Sequence, residues 1–260
     1  MRYRTALITG ASSGIGEAIA RALPQGTRLL LTGRDSARLE TLAGELLRAG
    51  QQVTTMTADL ATETGVDDLV AWATPHQPDL LVSNAGFGRF GKALDQAHVA
   101  QSDETMVKLN VLAPVALTRA LVPGMLERAR AENRRIGLIY VASTIAFHPM
   151  PYLATYSASK HFLRAYVESI AGEMRREPVD ILALCPGVTR TSFLERAGIP
   201  LPPYATMDEP ETVARVALAT IGRRRVRAVG VQGHLAIGLA RLLPRRLMVA
   251  ALARIAESWR

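Results

Sequence analysis

Thr9-Gly10-Ala11-Ser12-Ser13-Gly14-Ile15-Gly16 stands between an apolar run, Thr5–Thr9, and a helical pattern that begins near Ile15. Glycines at these places permit a tight turn and close approach by a pyrophosphate. The helix start adds unpaired N–H groups and a dipole that favours an anion. A glycine cluster alone is an ordinary turn. Its position after a strand and before a helix makes it a candidate phosphate-binding turn.

Working outward, β-rich runs alternate with helical patterns. Strands are expected at Arg28–Thr32, Gln52–Thr57, Leu80–Ser83, Arg135–Ala142, Asp180–Cys185 and Val226–Val231. Helices are expected at Ala37–Ala49 with Ser36 as cap, and at Gly65–Ala73, Asp103–Val122 and Tyr156–Met174. Asp208-Glu209-Pro210-Glu211 reads as an acidic cap, a first-turn proline and a capping-box glutamate, opening a helix to about Ile221. Alternating apolar strands and helices predict an α/β fold with a parallel sheet buried on both faces. The proline-rich stretch Ile199–Met207 reads as a loop over a site.

Composition narrows the class. The chain has 260 residues, 48% of them hydrophobic, enough to bury a large core. Its formal charge of +8 lies in one place: from Gly222 onward there are nine arginines and one acid, Glu257. The rest is balanced, which argues against a nucleic-acid binder. The single cysteine, Cys185, sits in an apolar strand and reads as a small buried hydrophobe in a reducing compartment. No signal peptide and no apolar membrane span is expected, and no residue cluster has metal-ligand spacing.

Tyr156-Ser157-Ala158-Ser159-Lys160 places a phenol and an ammonium at i and i+4 on one helix face. The ammonium is expected to lower the phenol pKa, so that tyrosine can exchange a proton near neutral pH. On its own this spacing fits two surface residues. Ser143 ends the fifth strand thirteen residues earlier, where its hydroxyl can orient a substrate oxygen. Asn110 lies inside a helix, where asparagine is a poor choice and invites a reason.

The G-x-x-x-G-x-G spacing and these four residues, in this order, resemble the short-chain dehydrogenase/reductase family over about Thr5 to Val231. The resemblance implies one doubly wound Rossmann-type domain (residues 1–231) with about seven parallel strands and helices on both faces. Residues 232–260 would be a basic amphipathic helical extension of it. It implies an oxidoreductase that moves a hydride between nicotinamide and a carbonyl or alcohol. Ser143, Tyr156, Lys160 and Asn110 would form the active site. Lys160 would also hold the nicotinamide ribose, and Asn110 would fix a water in a proton relay. Gly10, Ser12, Ser13, Gly14, Ile15 and Gly16 would cradle the pyrophosphate. Asp59 with Leu60 would meet the adenine, and Asn84-Ala85-Gly86 would lie beside the cofactor. Pro186, Gly187, Val188 and Thr191 would hold the carboxamide. The departures Ser83, Ala113 and Ala146 remove no reacting group.

The second strand selects the cofactor. An acid at its end would bind a ribose 2′-hydroxyl. Here Leu31-Thr32-Gly33-Arg34 replaces the acid with Gly33, and Arg34, helped by Arg38, suits a 2′-phosphate. The reading is NADP(H), with Asp35 diluting the positive field. The family layout bounds the substrate pocket by Phe87, Ile145, Phe147, Met150, Tyr152, Phe193 and Leu194, favouring an apolar carbonyl. It also implies a homodimer or homotetramer and a cytoplasmic location.

Beyond the sheet, Leu235, Leu239, Leu242 and Leu243 form one apolar face, and Leu247, Ala250, Ala251 and Ile255 another beside Arg245, Arg246 and Arg254. This pair either lies on an anionic membrane surface, packs on a partner subunit or covers the pocket. Two other readings stay open: a protein that binds the cofactor without turnover, and a membrane-surface protein acting through its tail.

Overall fold

The computed structural model describes residues 2–94, 103–200, 206–230, 234, 237–238 and 244–258. The strands are β1 (Thr5–Thr9), β2 (Arg28–Gly33), β3 (Gln52–Thr57), β4 (Leu80–Ser83), β5 (Ile136–Val141), β6 (Val179–Cys185) and β7 (Val226–Ala228). They form one seven-stranded sheet in the order β3-β2-β1-β4-β5-β6-β7, and every pairing is parallel. The order reverses between β1 and β4, which opens a crevice at the carboxyl ends of the strands.

The helices are α1 (Gly14–Ala22), α2 (Ser36–Arg48), α3 (Glu63–Ala73), α4 (Asp103–Ala131), α5 (Ala154–Glu173), α6 (Ser192–Arg196), α7 (Pro210–Thr220) and α8 (Arg245–Glu257). Side-chain alternation along the strands explains the two layers. Ile8, Leu29, Leu31, Val82 and Ile139 point to the face covered by α1, α2 and α7. Leu7, Leu30, Leu81, Leu138 and Ala183 point to the face covered by α3, α4 and α5. Both faces are buried, so the central strands read as continuous apolar runs.

Several local expectations are corrected. Asp35, not Ser36, caps α2, its carboxylate accepting from the Arg38 N–H at 3.1 Å. The capping box of α7 does not form: Glu209 is the cap residue and makes no side-chain capping bond, while Asp208 pairs with Thr189 in an isolated parallel bridge. The fourth long helix runs on to Ala131 through Pro123, well past Val122. Its 18-residue apolar window, with mean hydropathy 1.5, is long and apolar enough by composition to cross a membrane. Here Leu109, Leu117, Leu121 and Met125 spend that apolarity on the sheet. The last strand stops at Ala228, and Val231 lies outside the described residues, as do Leu201–Ala205 of the proline-rich loop and the Leu235, Leu239, Leu242 and Leu243 face.

Candidate active site

The crevice is closed at the switch point by one side chain. The Asn84 amide donates to the carbonyls of Thr9 (2.9 Å) and Gly10 (3.0 Å), while the N–H groups of Asn84 and Ala85 donate to Thr9 Oγ1 at 2.9 and 3.0 Å. This fixes the turn after β1 against the end of β4. Gly14 takes a left-handed φ of 60°, which glycine adopts without strain. A Cβ at Gly16 would run into the Gly10 carbonyl and the Asn84 amide. Ser13 precedes α1 in extended backbone and makes no capping bond, so the first N–H groups of α1 keep their donors for a ligand. That uncapped helix start over a glycine turn fits a pyrophosphate.

A groove of about 610 Å³ extends from this turn. Its walls include Gly10, Ser12, Ser13, Gly14 and Ile15 at one end and Ser143, Tyr156 and Lys160 at the other. Arg34, Leu60, Asn84, Ala85, Gly86, Pro186, Gly187, Val188 and Thr191 also line it, as expected. Gly16, Arg38, Asp59 and Asn110 stand behind or beside the lining. Asp59 is exposed and holds the start of α3, accepting from the Ala61 N–H at 3.0 Å, and Ala58 and Leu60 form the wall instead. Arg38 is paired to Asp35 at 3.4 Å.

Asn110 has the reason that its position called for. Residues Lys108–Leu112 form a π turn inside α4, the kind of local widening that recurs at functional sites. There the buried Asn110 side chain accepts from the Phe87 N–H (3.1 Å) and donates to the Phe87 carbonyl (2.9 Å) and Ser159 Oγ (3.1 Å). It thus joins the segment after β4 to α5, one residue from Lys160. A Cβ at Gly86 would lie 2.9 Å from Asn110 Oδ1 and 3.4 Å from Lys160 Nζ, so only glycine leaves this corner open.

Ser143 lies just past the end of β5 in extended backbone, and its Oγ accepts from the Ile145 N–H at 3.3 Å. Tyr156 is buried on α5, with Lys160 one turn on, its Nζ 5.7 Å from the phenol ring centroid. Burial raises the Tyr156 pKa to about 12 against a smaller opposing effect from its hydrogen bond to Ser143. The expected lowering by the ammonium is not seen: burial dominates, and the opposing effect comes from Ser143. Burial also lowers the Lys160 pKa to about 8, and Lys160 donates to the Val141 carbonyl at 2.9 Å. Cys185 is fully buried, its thiol pushed up to about 12 by burial, as suits a packing residue.

The substrate end is apolar. Phe87, Ile145, Met150, Phe193 and Leu194 line it as expected; Phe147 and Tyr152 do not. Phe147 instead packs in the core beneath the Arg164 guanidinium, 4.2 Å from the ring centroid. Ile199, at the start of the loop expected over a site, lines the pocket too, and Leu153, His148 and Arg196 are lining residues that sequence reasoning missed. Only Arg196 carried a signal, by its place near the loop after β6. Arg89 and Arg190 turn away, to Asp103 at 3.3 Å and Glu209 at 2.8 Å.

The wall has a backing. Ala256 and Leu252 of α8 join Met106, Met150, Leu153 and Tyr156 in one apolar cluster. The Tyr152 hydroxyl donates to Glu257 at 3.1 Å, and its ring stacks on Phe90. Met248 and Ala256 are buried, whereas Leu247 and Ile255 are 63% and 42% exposed. The stripe Leu247, Ala250, Ala251 and Ile255, expected as an apolar face, thus points outward. The face one residue along packs inward. Covering the pocket is the alternative that the structure favours.

Residues 4–199 match the family model for short chain dehydrogenases, and the chain belongs to this family. It is 30% identical over 257 residues to dehydrogenase/reductase SDR family member 7B of Xenopus laevis, covering 92% of this chain and 77% of that one. A short-chain dehydrogenase from Sphingobium yanoikuyae, solved in complex with NADPH, superposes with a TM-score of 0.76 at 27% identity, covering 92% of this chain and 94% of that one. A 3-ketoacyl-(acyl-carrier-protein) reductase from Brucella melitensis, complexed with NADH, gives a TM-score of 0.72 at 28% identity, covering 88% and 96%. The protein is an oxidoreductase with a nicotinamide-cofactor fold.

Proposed function

We propose that this protein is an NADPH-dependent reductase of apolar ketones or aldehydes. The observation that carries the reading is the convergence of Ser143, Tyr156 and Lys160 at one end of a groove whose other end is the uncapped start of α1. Bound there, the nicotinamide would supply the hydride. Ser143 Oγ holds the substrate oxygen beside the phenol. Tyr156, kept protonated by burial, gives that oxygen its proton. Lys160, one helical turn from the phenol, holds the ribose hydroxyls. Asn110 keeps the relay corner in shape through Phe87 and Ser159. Gly33 in place of an acid, followed by Arg34 on the groove wall, supports NADP(H) over NAD(H).

Residues 1–231 are proposed as the catalytic unit and 232–260 as its helical extension. A homodimer or homotetramer in the cytoplasm is proposed as its form. Leu112 on α4 and Phe162 on α5, 56% and 42% exposed, support association. The outward face of α8, with Arg245, Arg246 and Arg254, is the candidate for peripheral membrane contact.

The test is loss of NADPH absorbance with a panel of ketones and aldehydes, run beside NADH and a Tyr156→Phe variant. Turnover with NADPH that vanishes in the variant supports the reading. Cofactor binding without turnover on any carbonyl favours a sensing role instead, and preference for NADH overturns the assignment of Arg34.

A further inference from the structure

The adenosine end of the groove holds a guanidinium that the glycine turn and β2 do not supply. Arg196, the last residue of α6, lines the groove together with Arg34 and Asp35. Its place follows from how α6 is anchored. Thr191 caps the helix, its Oγ1 accepting from the Phe193 N–H at 3.3 Å. The Thr191 methyl lies over the phosphate turn, 2.8 Å from where a Cβ of Gly14 would be. The helix therefore starts on the pyrophosphate side of the groove. At ~1.5 Å per residue it carries Arg196 roughly one turn onward, toward the β2–α2 corner.

Charge at this corner is one-sided. Arg38 shares Asp35, at 3.4 Å. Among the described residues, neither Arg34 nor Arg196 makes an ion pair with a carboxylate. The Arg196 pKa is lowered, first by burial and then by Arg38 and Arg34, with Asp35 and Glu195 opposing. The Arg196 guanidinium thus feels the other two across the groove. A dianion placed between them would remove that repulsion, and planar guanidinium forks match phosphate oxygens.

We propose that Arg196 is a third ligand of the cofactor's 2′-phosphate, closing on it from the side opposite Arg34. The inference rests on the NADPH reading above. It also joins the two ends of the site. α6 carries Phe193, whose ring lies 5.4 Å from that of Tyr156, so a phosphate that holds Arg196 also steadies the apolar wall beside the proton donor.

The experiment measures binding by calorimetry, without turnover. The probes are 2′,5′-ADP, which carries the extra phosphate, and 5′-AMP, which lacks it. The proteins are the full chain and its Arg34→Gln, Arg196→Gln and Arg196→Lys variants, each checked for an unchanged melting temperature. We expect Arg196→Gln to weaken 2′,5′-ADP about tenfold, leave 5′-AMP unchanged and flatten the salt dependence, with Arg196→Lys partly restoring affinity. If Arg34→Gln weakens 2′,5′-ADP and Arg196→Gln does not, the inference falls and the NADPH reading stands. Equal weakening of both probes by Arg196→Gln makes the residue a structural one and also overturns it. If the unaltered chain binds 5′-AMP as tightly as 2′,5′-ADP, the NADPH reading itself fails.

Discussion

Lys160 donates to the main-chain carbonyl of Val141 at 2.9 Å while its ammonium stands 5.7 Å from the centroid of the Tyr156 ring. The charge is buried with a carbonyl and no carboxylate, which costs stability. The site therefore holds a charge that the fold would be more stable without.

Lys160→Met is expected to raise the melting temperature at pH 7 by ~2–4 °C while lowering turnover at least ~10²-fold. Because burial depresses the folded pKa to about 8, the folded chain binds fewer protons than the unfolded chain between about 8 and the ordinary 10.5. The penalty is full below about pH 8 and fades as the pH rises toward 10.5. The stabilising effect of the substitution should fade over the same interval. Thermal melts at pH 7 and pH 10 check this, and a lower melting temperature at pH 7 would contradict it.

Tyr156→Phe should lower kcat by ~10²–10⁴-fold with little change in NADPH affinity, since the hydroxyl acts on the substrate oxygen. Ser143→Ala should cost ~10²-fold through the same oxygen. Burial holds the phenol at about 12, so it stays protonated through neutral pH. Reduction rates should therefore show no loss from this group up to about pH 9, and oxidation of the product alcohol should speed up as pH rises. Steady-state profiles in both directions test the sign.

Asn110→Ala removes the partners of the Phe87 N–H, the Phe87 carbonyl and Ser159 Oγ in a buried corner. Leaving such groups unpaired costs ~1–3 kcal/mol each, partly recovered by water entry. A lower unfolding midpoint in denaturant is expected, together with reduced turnover. An unchanged midpoint would show that Asn110 does not hold this corner.

Ala256→Asp places a carboxylate in the apolar cluster behind Met150, Leu153 and Tyr156. It should raise KM for apolar carbonyls about tenfold or more while NADPH affinity stays within about twofold. A parallel loss of both would mean that α8 supports the whole fold and not the substrate wall.

The inner sheet was legible because its strands are buried on both faces: Thr5–Thr9 and Leu80–Ser83 match end for end, and the half-exposed edge strand Gln52–Thr57 matches as well. The catalytic face of α5 was legible from the i, i+4 spacing of Tyr156 and Lys160. Three kinds of information were not. Asp35 and Ser36 are both good caps, and only the folded backbone chooses between them. Asn110 signalled a purpose, but the π turn that satisfies it has no spacing signature. In α8, the stripes Leu247–Ala251–Ile255 and Met248–Leu252–Ala256 have the same period, one position apart. Tertiary packing selects the second. The place of Arg196 was not legible because Arg34 and Arg38 are distant from it in sequence and near only once α6 is anchored on the phosphate turn.

The backing of the substrate wall by α8 sets an order during synthesis. Among the described residues, those lining the groove lie between Gly10 and Pro200, whereas α8 begins at Arg245, beyond the last strand of the sheet. On the ribosome, at ~5–20 residues per second, the dinucleotide groove emerges seconds before the helix that completes its far wall. The walls of the nucleotide end are thus synthesised before the helix that backs the substrate end. The same separation leaves α8 free to diverge: its inward residues can reshape what the pocket admits while the nucleotide end stays as it is.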